Sequence, residues 1–455
     1  MNKWLFSLFF LSACTVGQDY QKPEIYSDSM IIKELKTNQN YQLPDKWYAN
    51  LHDEQLTTLI NSALNKSPDL ESAIARLNQA RATLKINKTA VLPFINATAG
   101  WNYDKGSQSI KYATDSHYYN AGFDASWELD IWGKNRRQTE SDKANIESMN
   151  YSLKDVKISL AAEIAADYVA LMKNRELLKT ARNNAILQRQ IFSTVESKFN
   201  SGLVDAIDYN QAQYLLAQTE ADIPTYESNI ESYTNALAVL CGVLPSELTL
   251  SENSPLFKRQ YNADKKLIYG IPAGAVRLRP DVASTERKLA SQSALIAKAV
   301  AELYPDVSIS GFWGYASQGG HGLFSSKSQN YNYNPSALLP LLDWNKLSNN
   351  IELQKQIYAE NLAAYKKALL TAIAEIKNAG IAWETAEKSL AKQRMANSSM
   401  SKSVSALQKR YDMGLIEFSE LLTMRQKLIE SQKDVISAQA ETIRQMIAFY
   451  KAIGI

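Results

Sequence analysis

Two stretches decide the fold: PFINATAGWNYD at 93–104 and HYYNAGFDASWELD at 117–130. In the first, Ile95, Ala97, Ala99, Trp101 and Tyr103 alternate with Asn96, Thr98, Gly100, Asn102 and Asp104. In the second, Tyr119, Ala121, Phe123, Ala125, Trp127 and Leu129 alternate with Asn120, Gly122, Asp124, Ser126 and Glu128. A period of two places one set on each face of a strand. The segments have the length and alternation of membrane-barrel strands, apolar towards lipid and polar towards a lumen. A soluble amphipathic hairpin packed on a core would alternate in the same way, so the strands alone leave both readings open.

The same pattern returns 212 residues later. Pro68, Pro93, Trp101, Tyr103, Trp132, Lys134, Gly202, Leu203 and Gly242 fall on Pro280, Pro305, Trp313, Tyr315, Trp344, Lys346, Gly414, Leu415 and Gly454 at that single offset. Rare Trp, Pro and Gly coinciding in one ungapped register point to a duplication. The expected organisation is a segment at 14–66, a first copy at 67–243, a Pro-containing connector at 244–278 and a second copy at 279–455. Each copy should hold a helix, two strands (about 94–104 and 117–130, then 306–316 and 331–342), a long helix, a turn and a return helix.

The long helices are expected over 135–198 and 347–410, where neither Pro nor Gly interrupts the first. At 1.5 Å per residue such an element reaches ~96 Å, a length typical of coiled-coil spacers. Gly202 and Gly414 should form the turns back. Pro224 has Ile436 as its counterpart, so a local bend is expected in the first copy only.

The N-terminus reads as a processing signal. Lys3 precedes a short apolar run from Trp4 to Phe10, then Leu11-Ser12-Ala13-Cys14. The run is too short to span a bilayer and fits a cleaved signal peptide, residues 1–13. The ending resembles a bacterial lipobox, which would make Cys14 the lipidated first residue. Thr15 follows where the inner-membrane retention signal would place Asp, favouring the outer membrane. Cys241 would then stay unpaired, with no disulfide framework.

A formal net charge of +3 over 455 residues gives no footing for nucleic-acid binding. His52, His117 and His321 have no ligand or triad spacing, and no phosphate-binding glycine loop is present. Neither a metal nor a cofactor is expected, and no catalytic residue is assigned. Met413 and Met424 near one turn suit packing better than copper handling. The fold expected is mainly α with transmembrane β. Four strands cannot close, because membrane barrels begin at about eight. Three chains would give twelve strands and a pore.

Taken in order, these features resemble the outer-membrane factor family, the lipidated channel type of tripartite efflux and secretion systems. The resemblance rests on Trp47 with Asp53-Glu54-Gln55-Leu56, on Trp127-Glu128-Leu129-Asp130-Ile131-Trp132-Gly133, on Arg279-Pro280-Asp281, on Tyr304-Pro305, and on Phe199-x-x-Gly202 with Arg410-Tyr411-x-x-Gly414. It implies a homotrimer with a 12-stranded barrel in the outer membrane, continuous with a long α-helical periplasmic barrel. Implied partners are outer-membrane lipid, a periplasmic adaptor and an inner-membrane pump. Implied cargo is small molecules such as drugs or other toxic compounds; metal ions or secreted proteins are the alternative, as is a lipid-anchored spacer without conduction.

Carried over from that family, Gly202, Leu203, Val204, Gly414, Leu415 and Ile416 are the periplasmic tips where the adaptor docks. Asp205, Asp208, Glu417 and Glu420 would ring the aperture, with Arg425 as a gate contact. Asp205 and Glu417 equally suit helix N-termini. Thr423 stands where the family often has an acid. Trp101, Trp127, Trp313 and Tyr333 suit a membrane girdle.

Overall fold

The computed structural model describes residues 15–35, 46–107, 109 and 115–455. Cys14 and the expected signal peptide at 1–13 lie outside the described residues. The chain divides into two compact units, one built from 76–150 and 284–366 with the N-terminal residues up to Pro23, the other from 24–75, 151–283 and 367–455.

The helices follow in order: α1 (Asp28–Leu35), α2 (Glu54–Lys66), α3 (Pro68–Thr89), α4 (Lys134–Asn200), α5 (Ala206–Cys241), α6 (Lys265–Ile268), α7 (Ala273–Leu278), α8 (Pro280–Ala301), α9 (Trp344–Asp412) and α10 (Phe418–Ile453). The strands are β1 (Phe94–Asp104), β2 (Ser116–Leu129), β3 (Asp306–Ser317) and β4 (Gln329–Leu338). Each copy thus runs helix, strand, strand, long helix, return helix. The long helices hold 67 and 69 residues. Among the described residues no helix is long and apolar enough to cross a membrane.

In the first unit the strands form one antiparallel sheet in the order β1-β2-β3-β4. The register aligns Phe123 with Trp313 and Ala97, and Trp313 with Tyr331. Strand β4 runs through Pro335, as an edge strand allows, and ends at Leu338 and not near Leu342. The WELDIWG segment joins β2 to α4 through its side chains. Asp130 accepts from the Asn135 and Arg136 amides at 2.9 and 3.0 Å and so caps α4. Trp132 Nε1 donates to the Pro305 carbonyl at 2.8 Å and its ring stacks on Tyr304.

In the second unit the N-terminal segment and the connector are bound to the helices at a buried carboxylate. Asp53 caps α2 through the Leu56 amide and also accepts from the Tyr168 and Ser254 hydroxyls. Trp47 stacks on Tyr450 with ring centroids 5.4 Å apart. Arg279 is 8 % exposed and holds Asp281 and Glu375 at 2.6 Å each while donating to the Ala452 carbonyl at the end of α10. Both return helices end on a left-handed glycine, Gly242 at φ +67° and Gly454 at φ +80°.

Candidate functional site: the helical tips, the sheet surface and the N-terminal tether

The two tip turns are built alike. Gly202 has φ +69° and Gly414 has φ +72°, a region that costs residues with a Cβ. Each follows a long helix and closes it with a matched pair of backbone bonds. Gly202 and Leu203 donate to Phe199 and Lys198; Gly414 and Leu415 donate to Tyr411 and Arg410. The turns leave Leu203 74 % and Leu415 63 % exposed, while Val204 and Ile416 are half-buried. Beneath them Val195, Ala212, Leu215, Phe418 and Leu422 form a buried cluster, against which Val204, Tyr209 and Tyr411 pack. Lys198 sits over the Tyr411 ring, 5.3 Å from its centroid. The exposed leucines therefore stand on a packed base, which suits them to insertion into a partner.

The acids at the turns are not equivalent. Asp205 caps α5, accepting from the Ile207 and Asp208 amides at 2.9 and 3.0 Å. Glu417 precedes α10 but makes no side-chain cap. Burial raises the Asp208 carboxyl above its usual range, and the Asp205 and Glu417 charges add to that. Glu420 is exposed. Thr423 turns its hydroxyl to the Ser419 carbonyl and brings no charge. Arg425 donates to Gln408 at 2.6 Å. Burial lowers its pKa while Asp412 opposes that shift. In the single chain Arg425 thus faces α9, and Gln408 in turn donates to Asp412.

The sheet presents an aromatic face. Trp101, Phe123, Trp127, Trp313, Tyr331 and Tyr333 are all exposed on it, Tyr333 at 77 %. Trp101 lies towards the loop end of β1 and Trp127 towards the helix end of β2, with Trp313 and Tyr333 in the rows between. Large apolar side chains on one strand face and Asn, Ser, Thr and Gly on the other match a lipid-facing wall with a wet interior.

Sequence reasoning missed the tether. Arg137 is 5 % exposed, donates to the carbonyls of Val16 and Gly17, and pairs with Asp19 at 2.8 Å and Glu140 at 2.7 Å. The Val16 amide donates to the Trp132 carbonyl. A Cβ at Gly133 would lie 2.7 Å from Thr15. The residue after Cys14 is therefore fixed where β2 passes into α4. Only the proximity of Arg137 to the WELDIWG motif hinted at this, and no local pattern could name its partners. Among the described residues no cluster of His, Cys, Asp and Glu could hold a metal ion.

Amphipathic strands with exposed aromatics, set on helices of nearly seventy residues, define the class of outer-membrane channel subunits. The outer membrane efflux protein family model matches residues 59–243 and 272–455, and the chain belongs to that family. The solvent efflux pump outer membrane protein SrpC of Pseudomonas putida is 27 % identical, over 99 % of this chain and 97 % of its own. The probable outer membrane lipoprotein SilC of Salmonella typhimurium is 23 % identical, over 98 % and 97 %. Among solved structures, the outer-membrane channel OprN superposes with a TM-score of 0.88 at 28 % identity, covering 97 % of this chain and 99 % of that one. The family is one of transport channels and not of enzymes.

Proposed function

We propose that three copies of this chain assemble into the outer-membrane exit duct of a tripartite efflux system. The duct conducts small toxic molecules passively from an inner-membrane pump and a periplasmic adaptor to the exterior. The observation that carries this reading is the four-stranded sheet, in which the outer edges of β1 and β4 have no strand partner among the described residues. An open edge has no place in lipid, where each unsatisfied backbone group costs several kcal/mol. Edge-to-edge joining of three sheets closes twelve strands and satisfies every edge.

Further features support the assembly. Met30, Leu370 and Ile381 are exposed around a groove of about 450 Å³ between α1 and α9, an apolar surface suited to a neighbouring copy. Leu203 and Leu415 at the turns dock the adaptor, and the acids beside them set a negative field at the aperture. Cys14 is the lipidated residue, and the chain that follows it is tethered from Thr15 at the start of α4. No chemistry is catalysed; the pump chooses the cargo.

The test is assembly together with conduction. Protein extracted in mild detergent should run as a trimer by native mass spectrometry and open discrete ion-conducting steps in a planar bilayer. A monomer in every detergent, or a sealed bilayer, would sink this reading.

A further inference from the structure

One tier of the sheet's polar face differs from the rest. The register sets Asn96, Asp124, Phe312 and Asn332 side by side, one from each strand. Strand alternation places them on the face that also carries Thr98, Gly122, Gly314 and Asn330. In the middle of the strands this face is otherwise Asn, Thr, Ser and Gly; Phe94 and Tyr118 lie towards strand ends. Phe312 is the aromatic exception, and its counterpart in the first copy, 212 residues earlier, is Gly100.

The ring is held down. A Cβ on Gly122 or on Gly314 would come within 2.7 Å of Phe312 Cζ, so the ring lies over this cross-strand glycine pair. Gly314 is buried, while Phe312 stays half-exposed. Glycine weakens a strand, and an aromatic laid across it restores packing. The consequence is a ring whose tip is seated on the glycine pair while the side chain as a whole stays half-exposed. The Phe312 amide donates to Asn332 Oδ1 at 3.2 Å. The carboxylate of Asp124, directly across from Phe312, has no hydrogen bond or ion pair among the described residues. The acids nearer the helices differ, because Glu128 and Asp306 both pair with Lys134.

We propose that the Asp124–Phe312 tier is a selectivity site for lipophilic organic cations. It rests on the duct reading, which makes the polar face the lumen wall. A cation is attracted to the exposed ring face and to the free carboxylate, and the apolar body of such a cation covers the ring. A trimer repeats the tier three times around one passage. An organic anion meets the same ring but is repelled by the carboxylate.

The test uses the full-length protein in planar bilayers, with tetrabutylammonium as the probe and benzenesulfonate as the anionic control. Tetrabutylammonium should block the wild-type channel. Phe312→Ala and Asp124→Asn should each weaken that block about three- to tenfold, and leave any response to benzenesulfonate no weaker. Phe312→Leu keeps a cover on the glycines and should also weaken the block, and Phe312→Tyr should preserve it. A conducting wild type that tetrabutylammonium does not block overturns the proposal. So does a block that survives unchanged in both Phe312→Leu and Asp124→Asn. A wild type that never conducts overturns the duct reading and this site with it.

Discussion

At the scale of single residues, the tip turns rest on backbone sign and on one cap. Gly202 and Gly414 have nothing within 4 Å of an added Cβ, so their positive φ alone demands glycine. Replacing either with Ala should cost about 1–2 kcal/mol, read as a lower melting temperature of the extracted protein. Asp205→Ala should cost about 1 kcal/mol through loss of two capped amides, and Glu417→Ala should cost less because Glu417 caps nothing. Asp208 behaves oppositely. Its carboxyl is held above the usual range by burial and by Asp205 and Glu417. The folded chain therefore binds this proton more tightly than the unfolded one. The resulting penalty is absent below the ordinary carboxylate pKa, grows as pH rises through the raised value, and is complete above it. Asp208→Asn should raise the melting temperature at neutral pH, and the gain should vanish on acidification. Equal gains at both pH values would remove Asp208 titration as the cause. Both glycines were legible in the sequence, because they repeat at one offset and only glycine relieves a left-handed turn. The difference between Asp205 and Glu417 was not, since one methylene decides whether a carboxylate reaches its own helix's amides.

At the scale of elements, the repeat made the layout readable and long-range contacts limited the detail. Alternation of Ile95 to Tyr103 with Asn96 to Asp104 identified β1 and its faces, because a period of two needs no tertiary information. The first long helix announced itself by the absence of breakers, and the second, which contains Gly380, by repeating it at the same offset. The connector did not: it read as a Pro-containing link, yet it folds into α6, α7 and short 3₁₀ turns at Pro245–Glu247 and Leu256–Lys258. Their order comes from distant partners, such as Tyr261 donating to the Leu51 carbonyl and Ala263 to Glu387. Pro224 offers a test at this scale. Helix α5 continues through it, although Pro supplies no N–H and crowds the preceding turn. Pro224→Ala should restore that bond and stabilise the protein by up to about 3 kcal/mol. The equivalent Ile436→Pro in α10 should cost a similar amount. A melting temperature unchanged by Pro224→Ala would mean that the helix has already absorbed the proline at no cost.

At the scale of the whole molecule, what matters is what one chain cannot satisfy alone. The sheet leaves two free edges among the described residues, an exposed aromatic face and a polar one with an ordered ring. Inside a closed barrel the edges disappear, the aromatics meet lipid and the polar face meets water. Sequence reasoning reached this through strand count, since four amphipathic strands are too few for a pore. It could not reach the Asp124–Phe312 tier, because Phe312 breaks the alternation and makes sense only with Gly122 beside Gly314. Closure can be checked directly by covalent capture. In a Cys241→Ser background, Thr98→Cys on β1 would be combined with a single cysteine scanned along β4 from Asn330 to Ser336. These positions lie on opposite margins of one sheet, separated by β2 and β3. Within one chain they are therefore too far apart for a disulfide, which needs Cα atoms within about 7 Å. In a closed ring of three they approach between neighbours. Mild oxidation of membranes should give a ladder ending at three linked chains, strongest at one scanned position and weak at the positions flanking it. Reduction should return all of it to monomer. A ladder that stops at two would mean an eight-stranded closure with its lumen largely filled by side chains, and no ladder at any β4 position would mean that these edges never meet.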